Sequence, residues 1–249
     1  MVDINNHIEV AAISDSCQIL SDTLNLVEKH IRPGQSVMEL DSIAENYILS
    51  CNAKPAFKGY DGFPATLTVS IDDEIVHGIP KDIFLSDGQI VSIDCGVIKN
   101  DFYSDSARTL PVGVISDNKQ KLLDVTKKAL EIGIENAVVG NKVFDISNSI
   151  QKYVESEGFS IVRELVGHGI GRQLHTTPQI PNFSNPATMD LNVELKEGMC
   201  LAIEPMVNMG TRHIKTDSDG WTIKTKDGNA SAHFEHSILI TKFQPRILT

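Results

Sequence analysis

Apolar residues at Ile13, Cys17, Leu20, Leu24, Val27 and Ile31 recur at alternating steps of three and four, laying one apolar stripe along a helix that Pro33 and Gly34 end. A coiled coil shows the same steps, but this stripe barely fills three heptads and fits a helix facing a core. Shorter helical patterns follow at about 38–50, 119–137 and 145–157, the last opening on Asp145 as a cap and closing at Gly158. Between them, stretches rich in β-branched residues and bounded by turn formers predict strands at about 66–71, 89–97, 102–110, 200–207 and 231–241. Helices and strands mix without strict alternation, which predicts an α+β fold with largely antiparallel pairing rather than a doubly wound parallel sheet.

The 249 residues fit one large domain with a substantial core, and no low-complexity linker or short-period repeat divides them. No apolar run approaches the ~18 residues that span a bilayer. The segment from Met1 to Val10 is polar and acidic, so neither a secretory leader nor a lipidation motif is expected there, and the cytoplasm is the expected address. Cys17, Cys51, Cys95 and Cys200 are scattered with no CxxC pair, which predicts reduced thiols rather than a disulfide framework or a zinc knuckle. The net charge of -11, with no segment rich in Lys and Arg, argues against a nucleic-acid surface.

That acidity becomes informative where carboxylates fall inside strands. The strands over 89–97 and 102–110 meet at Lys99 and Asn100, a two-residue turn whose Asn accepts positive φ. Such a turn sets Asp94 directly opposite Asp105, with Cβ atoms about 5 Å apart. Two like charges at that distance repel, and a shared proton or a bound cation would relieve them; aspartates solvated at the surface are the plainer alternative.

Glu204 stands alone among apolar neighbours in Cys200-Leu-Ala-Ile-Glu-Pro-Met-Val207, as does Glu235 in Phe234-Glu-His-Ser-Ile-Leu-Ile240. A carboxylate in a core-like strand is costly unless it is paired or binds a metal, although a strand glutamate can also point to solvent. His168 lies in Gly167-His-Gly-Ile-Gly171, whose glycines allow close approach of backbone or ligand. A satisfied core histidine is the alternative, and the spacing is not that of a dinucleotide loop. Four carboxylates and one imidazole make a mostly hard-oxygen set, better suited to a pair of Mn, Fe, Co or Zn ions than to one tetrahedral structural zinc. His77 and His175 stand near these motifs and could serve the chemistry without binding metal.

The motifs Asp73-Glu-Ile-Val-His-Gly-Ile-Pro80, Ile93-Asp94, Asp105-Ser-Ala-Arg108, Gly167-His-Gly-Ile-Gly171, Ile203-Glu-Pro-Met206, Gly220-Trp-Thr222 and Phe234-Glu-His236 together resemble the ordered signature of the methionine aminopeptidase family. Only 36 positions separate His168 from Glu204, too few for the helical insertion of the type 2 members. The chain therefore resembles the type 1 enzymes in their short bacterial form, without the N-terminal zinc region of eukaryotic relatives.

The resemblance implies the pita-bread fold, in which two pseudo-symmetric α/β halves enclose a metal centre on a curved antiparallel sheet, here as a single catalytic domain over 1–249. It implies two divalent metal ions, with Asp105 and Glu235 bridging both, Asp94 on one, and His168 with Glu204 on the other. A metal-bridged water or hydroxide, made acidic by the cations, would attack the carbonyl after the N-terminal methionine, with Glu204 also shuttling the proton. His175 would bond to the scissile amide, and His77 would stabilise the tetrahedral species or the departing amine. Tyr60, Phe63, Thr68, Leu174 and Trp221 match the family's methionine pocket, although relatives often carry Cys at the position of Thr68 and Phe at that of Leu174. The implied substrate is the N-terminal Met of a nascent polypeptide whose second residue is small. The implied protein is a monomer without nucleic-acid or membrane partners, and docking near the ribosome is left open.

Two rivals share parts of this pattern. Pita-bread siblings that cleave Xaa-Pro bonds would use the same five ligands, but they usually carry a large extra N-terminal domain ahead of the position of Asp94. Relatives that bind RNA or protein have lost their ligands, whereas this chain keeps the set.

Overall fold

The structure is a computed structural model that describes residues 7–249. The expectation that the N-terminus carries no leader falls partly on residues 1–6, outside the described residues. Helix α1 (His7–Glu28) buries the stripe from Ile13 to Val27, and Ile31 packs beside it just past the helix end. Helix α2 (Val37–Ser50) starts where the Ser36 hydroxyl accepts from the Glu39 amide at 3.3 Å. Helices α3 (Asp117–Glu135) and α4 (Val143–Ser156) lie within two residues of their expected bounds. Asp145 is not the cap of α4. It sits in the first turn and reaches back to accept from the Lys142 amide at 2.7 Å.

Each half lays two helices on one side of its strands. In the first, the odd positions Val91, Ile93, Cys95 and Val97 of the strand Ile90–Lys99, with Leu67 and Val69 of Leu67–Ile71, pack against α1 and α2. The even positions, among them Thr68 and Asp94, then turn to the opposite face by the two-residue period of a strand. In the second half, α3 and α4 pack on Leu201, Ile203, Val207, Ala232 and Ile238. All strand pairs are antiparallel. The structure is α+β, as expected.

The hairpin differs from its expected register. Its strands, Ile90–Lys99 and Phe102–Pro111, turn at Asn100 and Asp101, both with positive φ (51° and 63°), and Lys99 pairs with Phe102. Asp94 therefore faces Ala107, and Asp105 faces Gly96. Asp94 and Asp105 are diagonal neighbours rather than direct partners. The turn moved by one residue shifts facing positions by two, which keeps every side chain on its face, so both acids still point the same way. The residue opposite Asp105 has to be small, because a Cβ at Gly96 would stand 2.7 Å from the Phe57 ring.

The expected strands over 200–207 and 231–241 are each two strands. The first breaks between Cys200–Ile203 and Met206–Asn208, and the second between Ser231–His233 and His236–Leu239. One piece of each lies in a three-stranded sheet and the other in a five-stranded sheet. Glu204 and Glu235 sit at the two breaks. Pro205, which has no amide hydrogen to give a ladder, accounts for the first.

Candidate metal centre

The twelve residues singled out from the sequence all line one cavity of about 240 Å³, which Phe57 and Asp61 complete. The hairpin brings Asp94 and Asp105, and the two strand breaks bring Glu204 and Glu235. Ile203 pairs with His236 and Met206 with His233, so one register runs across the gap and sets Glu204 opposite Glu235. His168 comes from the short strand Gly167–Gly169 beside Cys200–Ile203. Its glycines serve backbone packing rather than ligand approach: a Cβ at Gly167 would stand 2.4 Å from the Ala202 carbonyl, and one at Gly169 2.5 Å from the Thr177 carbonyl.

Carboxylate oxygens of Asp94, Asp105 and Glu235 lie within 4.8 Å of one another, and so do ligand atoms of His168, Glu204 and Glu235. The two groups share Glu235. His168 Nε2 stands 3.5 Å from Glu204 and 3.8 Å from Asp105, while its Nδ1 lies 3.0 Å from the Gly169 carbonyl. If that nitrogen carries the ring proton, Nε2 is left with a lone pair facing the acids.

Among the described residues, the cavity lining contains no Lys or Arg. Four carboxyl groups are thus enclosed with no protein cation, and Asp94 Oδ1, Asp105 Oδ1 and Glu235 Oε1 are buried without a hydrogen-bond partner. Burial pushes Asp94 up to about 7. Burial, then the neighbouring acids, raise Asp105, Glu204 and Glu235 well above the usual carboxylate range. Burial lowers His168 to about 4, so its imidazole is neutral at pH 7. Partnerless hard oxygens beside one neutral imidazole fit divalent cations, with ligand atoms enough for two.

Around this floor stand the remaining residues. His77 has a left-handed backbone (φ 59°), a strained state for a residue other than glycine, and burial followed by His175 lowers its pKa. The His175 ring meets the His168 ring edge-on at 4.4 Å, and the Phe63 and Trp221 rings meet in the same way at 5.2 Å. The sequence reading missed His233. It is 2% exposed, both its ring nitrogens lack partners, and Nε2 points between Glu204 and Glu235 at 3.9 and 4.0 Å. Its alternation with Glu235 along Ser231-Ala-His-Phe-Glu was the available signal, since residues two apart share a strand face.

The chain matches the model of metallopeptidase family M24 over residues 11–242. It is 49% identical over 249 residues to the methionine aminopeptidase of Clostridium perfringens, covering 100% of this chain and 99% of that one. The crystal structure of the Thermotoga maritima methionine aminopeptidase superposes with a TM-score of 0.96 at 40% identity, covering 100% of this chain and 99% of the other. The prolidase of Pyrococcus furiosus shares the fold at a TM-score of 0.79 and 22% identity, with 99% of this chain matching 65% of that one. Full-length likeness to the first two and fold likeness alone to the third settle the branch: the chain belongs to the type 1 bacterial methionine aminopeptidases of metallopeptidase family M24.

Proposed function

We propose that Asp94, Asp105, His168, Glu204 and Glu235 hold two divalent cations, and that the chain as a single catalytic domain uses them to release methionine from polypeptides whose second residue is small. The observation that carries this reading is the set of partnerless, buried carboxylate oxygens converging on one cavity that supplies no cation of its own. Bound there, divalent cations supply an acidified water and polarise the scissile carbonyl. Asp105 and Glu235, the acids with neighbours in both ligand groups, would be shared by the two cations in this reading.

Glu204 is the least buried of the four acids, which supports its role in this reading of passing a proton between attacking water and leaving amine. His175 and His77 line both this cavity and an adjoining cleft of about 880 Å³. Their neutral rings can donate to the carbonyl oxygen and to the departing amine where charge develops. The methionine side chain enters the apolar end formed by Tyr60, Phe63, Thr68, Leu174 and Trp221. An unbranched thioether threads between Phe63 and Trp221 with sulfur–aromatic contact, whereas a β-branched chain is stiff next to its own backbone. Among the described residues no helix is long and apolar enough to cross a membrane, and the four cysteines are free, which supports work in the reducing cytoplasm.

The test is metal-stripped protein restored in turn with Co, Mn, Fe and Zn and assayed on Met-X-Gly-Gly and X-Ala-Gly-Gly peptides. Metal-dependent release of Met when X is Ala, Gly or Ser, weak release when X is Lys or Phe, and discrimination against a first-position Val or Lys are expected. Comparable release of Met, Val and Lys, or cleavage only of Xaa-Pro bonds, would overturn it.

A further inference from the structure

The Tyr60 hydroxyl lies 2.9 Å from Nδ1 of His175, across 115 positions of sequence. The tyrosine stands on a tight turn, Tyr60–Gly62, held by the bonds Gly59 N to Phe63 O and Phe63 N to Tyr60 O at 2.8 and 2.9 Å. Its ring meets the imidazole edge-on at 5.3 Å, and the imidazole also meets the His168 ring edge-on at 4.4 Å. The His175 ring thus touches both a pocket residue and a candidate ligand.

Which partner donates decides what His175 can do. A neutral imidazole carries one N–H and one lone pair, and the hydrogen bond at one nitrogen fixes the role of the other. A phenol O–H is a good donor, but its oxygen is a weak acceptor because the lone pair is delocalised into the ring. An imidazole lone pair is a strong acceptor. The favoured arrangement has Tyr60 donating to Nδ1, which leaves the proton on Nε2.

This choice matters because ligand atoms of Asp105, His168 and His175 also lie within 4.8 Å of one another. With a bare Nε2, His175 would be a competent third ligand to a cation held by Asp105 and His168. With Nε2–H it cannot ligate and can only donate, as the proposed function requires. We infer that Tyr60 is a positioning residue that holds His175 in the Nε2–H form, keeping it a hydrogen-bond donor to the substrate and barring it from the metal shell. This rests on the reading of His175 given above and assigns Tyr60 a role beyond lining the methionine pocket.

The test uses the zinc-loaded full chain, with the ring nitrogens of His175 observed by 15N NMR and assigned through His175→Asn. The wild type should show a protonated Nε2 and a bare Nδ1. Tyr60→Phe, which keeps the ring and loses only the hydroxyl, should shift that pattern toward protonated Nδ1 or zinc-bound Nε2. It should also lower kcat about five- to tenfold, the worth of one neutral hydrogen bond, with KM changed less than about twofold. An unchanged tautomer in Tyr60→Phe, or a raised KM at constant kcat, would overturn the inference and leave Tyr60 a pocket wall. Full activity of His175→Asn would instead defeat the role assigned to His175, so the two failures are distinguishable.

Discussion

Asp94 and Asp105 ride on a hairpin whose ladder is unbroken from the Ile90–Pro111 pair to the Lys99–Phe102 pair, whereas Glu204 and Glu235 stand where two ladders stop. In the hairpin, one turn sets the register of both acids: Asp94 has ladder partners on both sides, while the Asp105 amide donates to Ser237 Oγ at 3.2 Å and its carbonyl accepts from the same hydroxyl at 2.7 Å. At the breaks, the glutamate backbones are held by other parts of the molecule. The Glu235 amide donates to the Ala107 carbonyl at 3.0 Å, its carbonyl accepts from Ser106 Oγ at 2.7 Å, and the Glu204 carbonyl accepts from Asn182 Nδ2 at 2.9 Å. The pairing of the aspartates is set by a local turn, that of the glutamates only by distant contacts. Glu235 is tied straight to the hairpin that carries the aspartates, so the second pair is positioned by the first.

That dependence predicts its own largest failure. Asp105→Ala removes the acid that neighbours both ligand groups, and should cost at least about a thousandfold in activity together with metal binding, while the chain still folds. Activity within about tenfold of wild type, in metal-replete assays, would sink the five-ligand centre. Removing the metal should expose the shared electrostatics of both pairs. All four carboxyls are raised in the folded protein, Asp94 to about 7, so their stability contribution is complete below about pH 4 and lost as pH rises through the folded values. Metal-free protein should therefore melt lower at pH 8 than at pH 5, by roughly 5 °C or more, and Mn should restore the loss because it binds the ionised acids. A metal-free melting temperature that rises over this interval would show that these acids are not desolvated together.

His233 sharpens the contrast, since the acids within 4.0 Å of its Nε2 are the glutamate pair. Its Nε2 stands 3.9 and 4.0 Å from the two carboxylates, just beyond hydrogen-bond reach, so an Nε2–H would steady whichever glutamate closes on it. His233→Leu should weaken metal binding about ten- to a hundredfold in competition with a chelator, and His233→Gln, which keeps a donor, should retain most of it. Equal affinity in wild type and His233→Leu would make the imidazole mere filling.

The same contrast explains what could be read from the sequence. Helix stripes and the even–odd alternation of the hairpin are local periodicities, so α1 and the shared face of Asp94 and Asp105 were legible even with the turn placed one residue early. The break at Glu235 was not, because Ser231 looks like strand whichever sheet receives it and only long-range pairing splits the run, whereas Pro205 does mark the break at Glu204 in the sequence. Glu204 and Glu235 nevertheless stood out as carboxylates among apolar neighbours. His233 left only a faint signal, its two-residue spacing from Glu235, because Glu204 reaches it from another strand break.

The smallest effect concerns the turn that sets the hairpin. Asn100 and Asp101 both occupy left-handed backbone, which asparagine tolerates and aspartate accepts less readily. Asp101→Gly produces the Asn-Gly pair that such two-residue turns favour, relieving about 1 kcal/mol of backbone strain but adding unfolded-state entropy that offsets part of it. The net gain should be roughly 0.5 kcal/mol, a rise of about 1–2 °C in melting temperature, with activity unchanged because the register is already the one the turn prefers. Differential scanning calorimetry on metal-loaded protein resolves a change of that size. A lower melting temperature, or lost activity at full metal occupancy, would mean that Asp101 holds the hairpin by its side chain rather than by its backbone. The register of the aspartate pair would then rest on a side-chain contact rather than on the backbone of the turn.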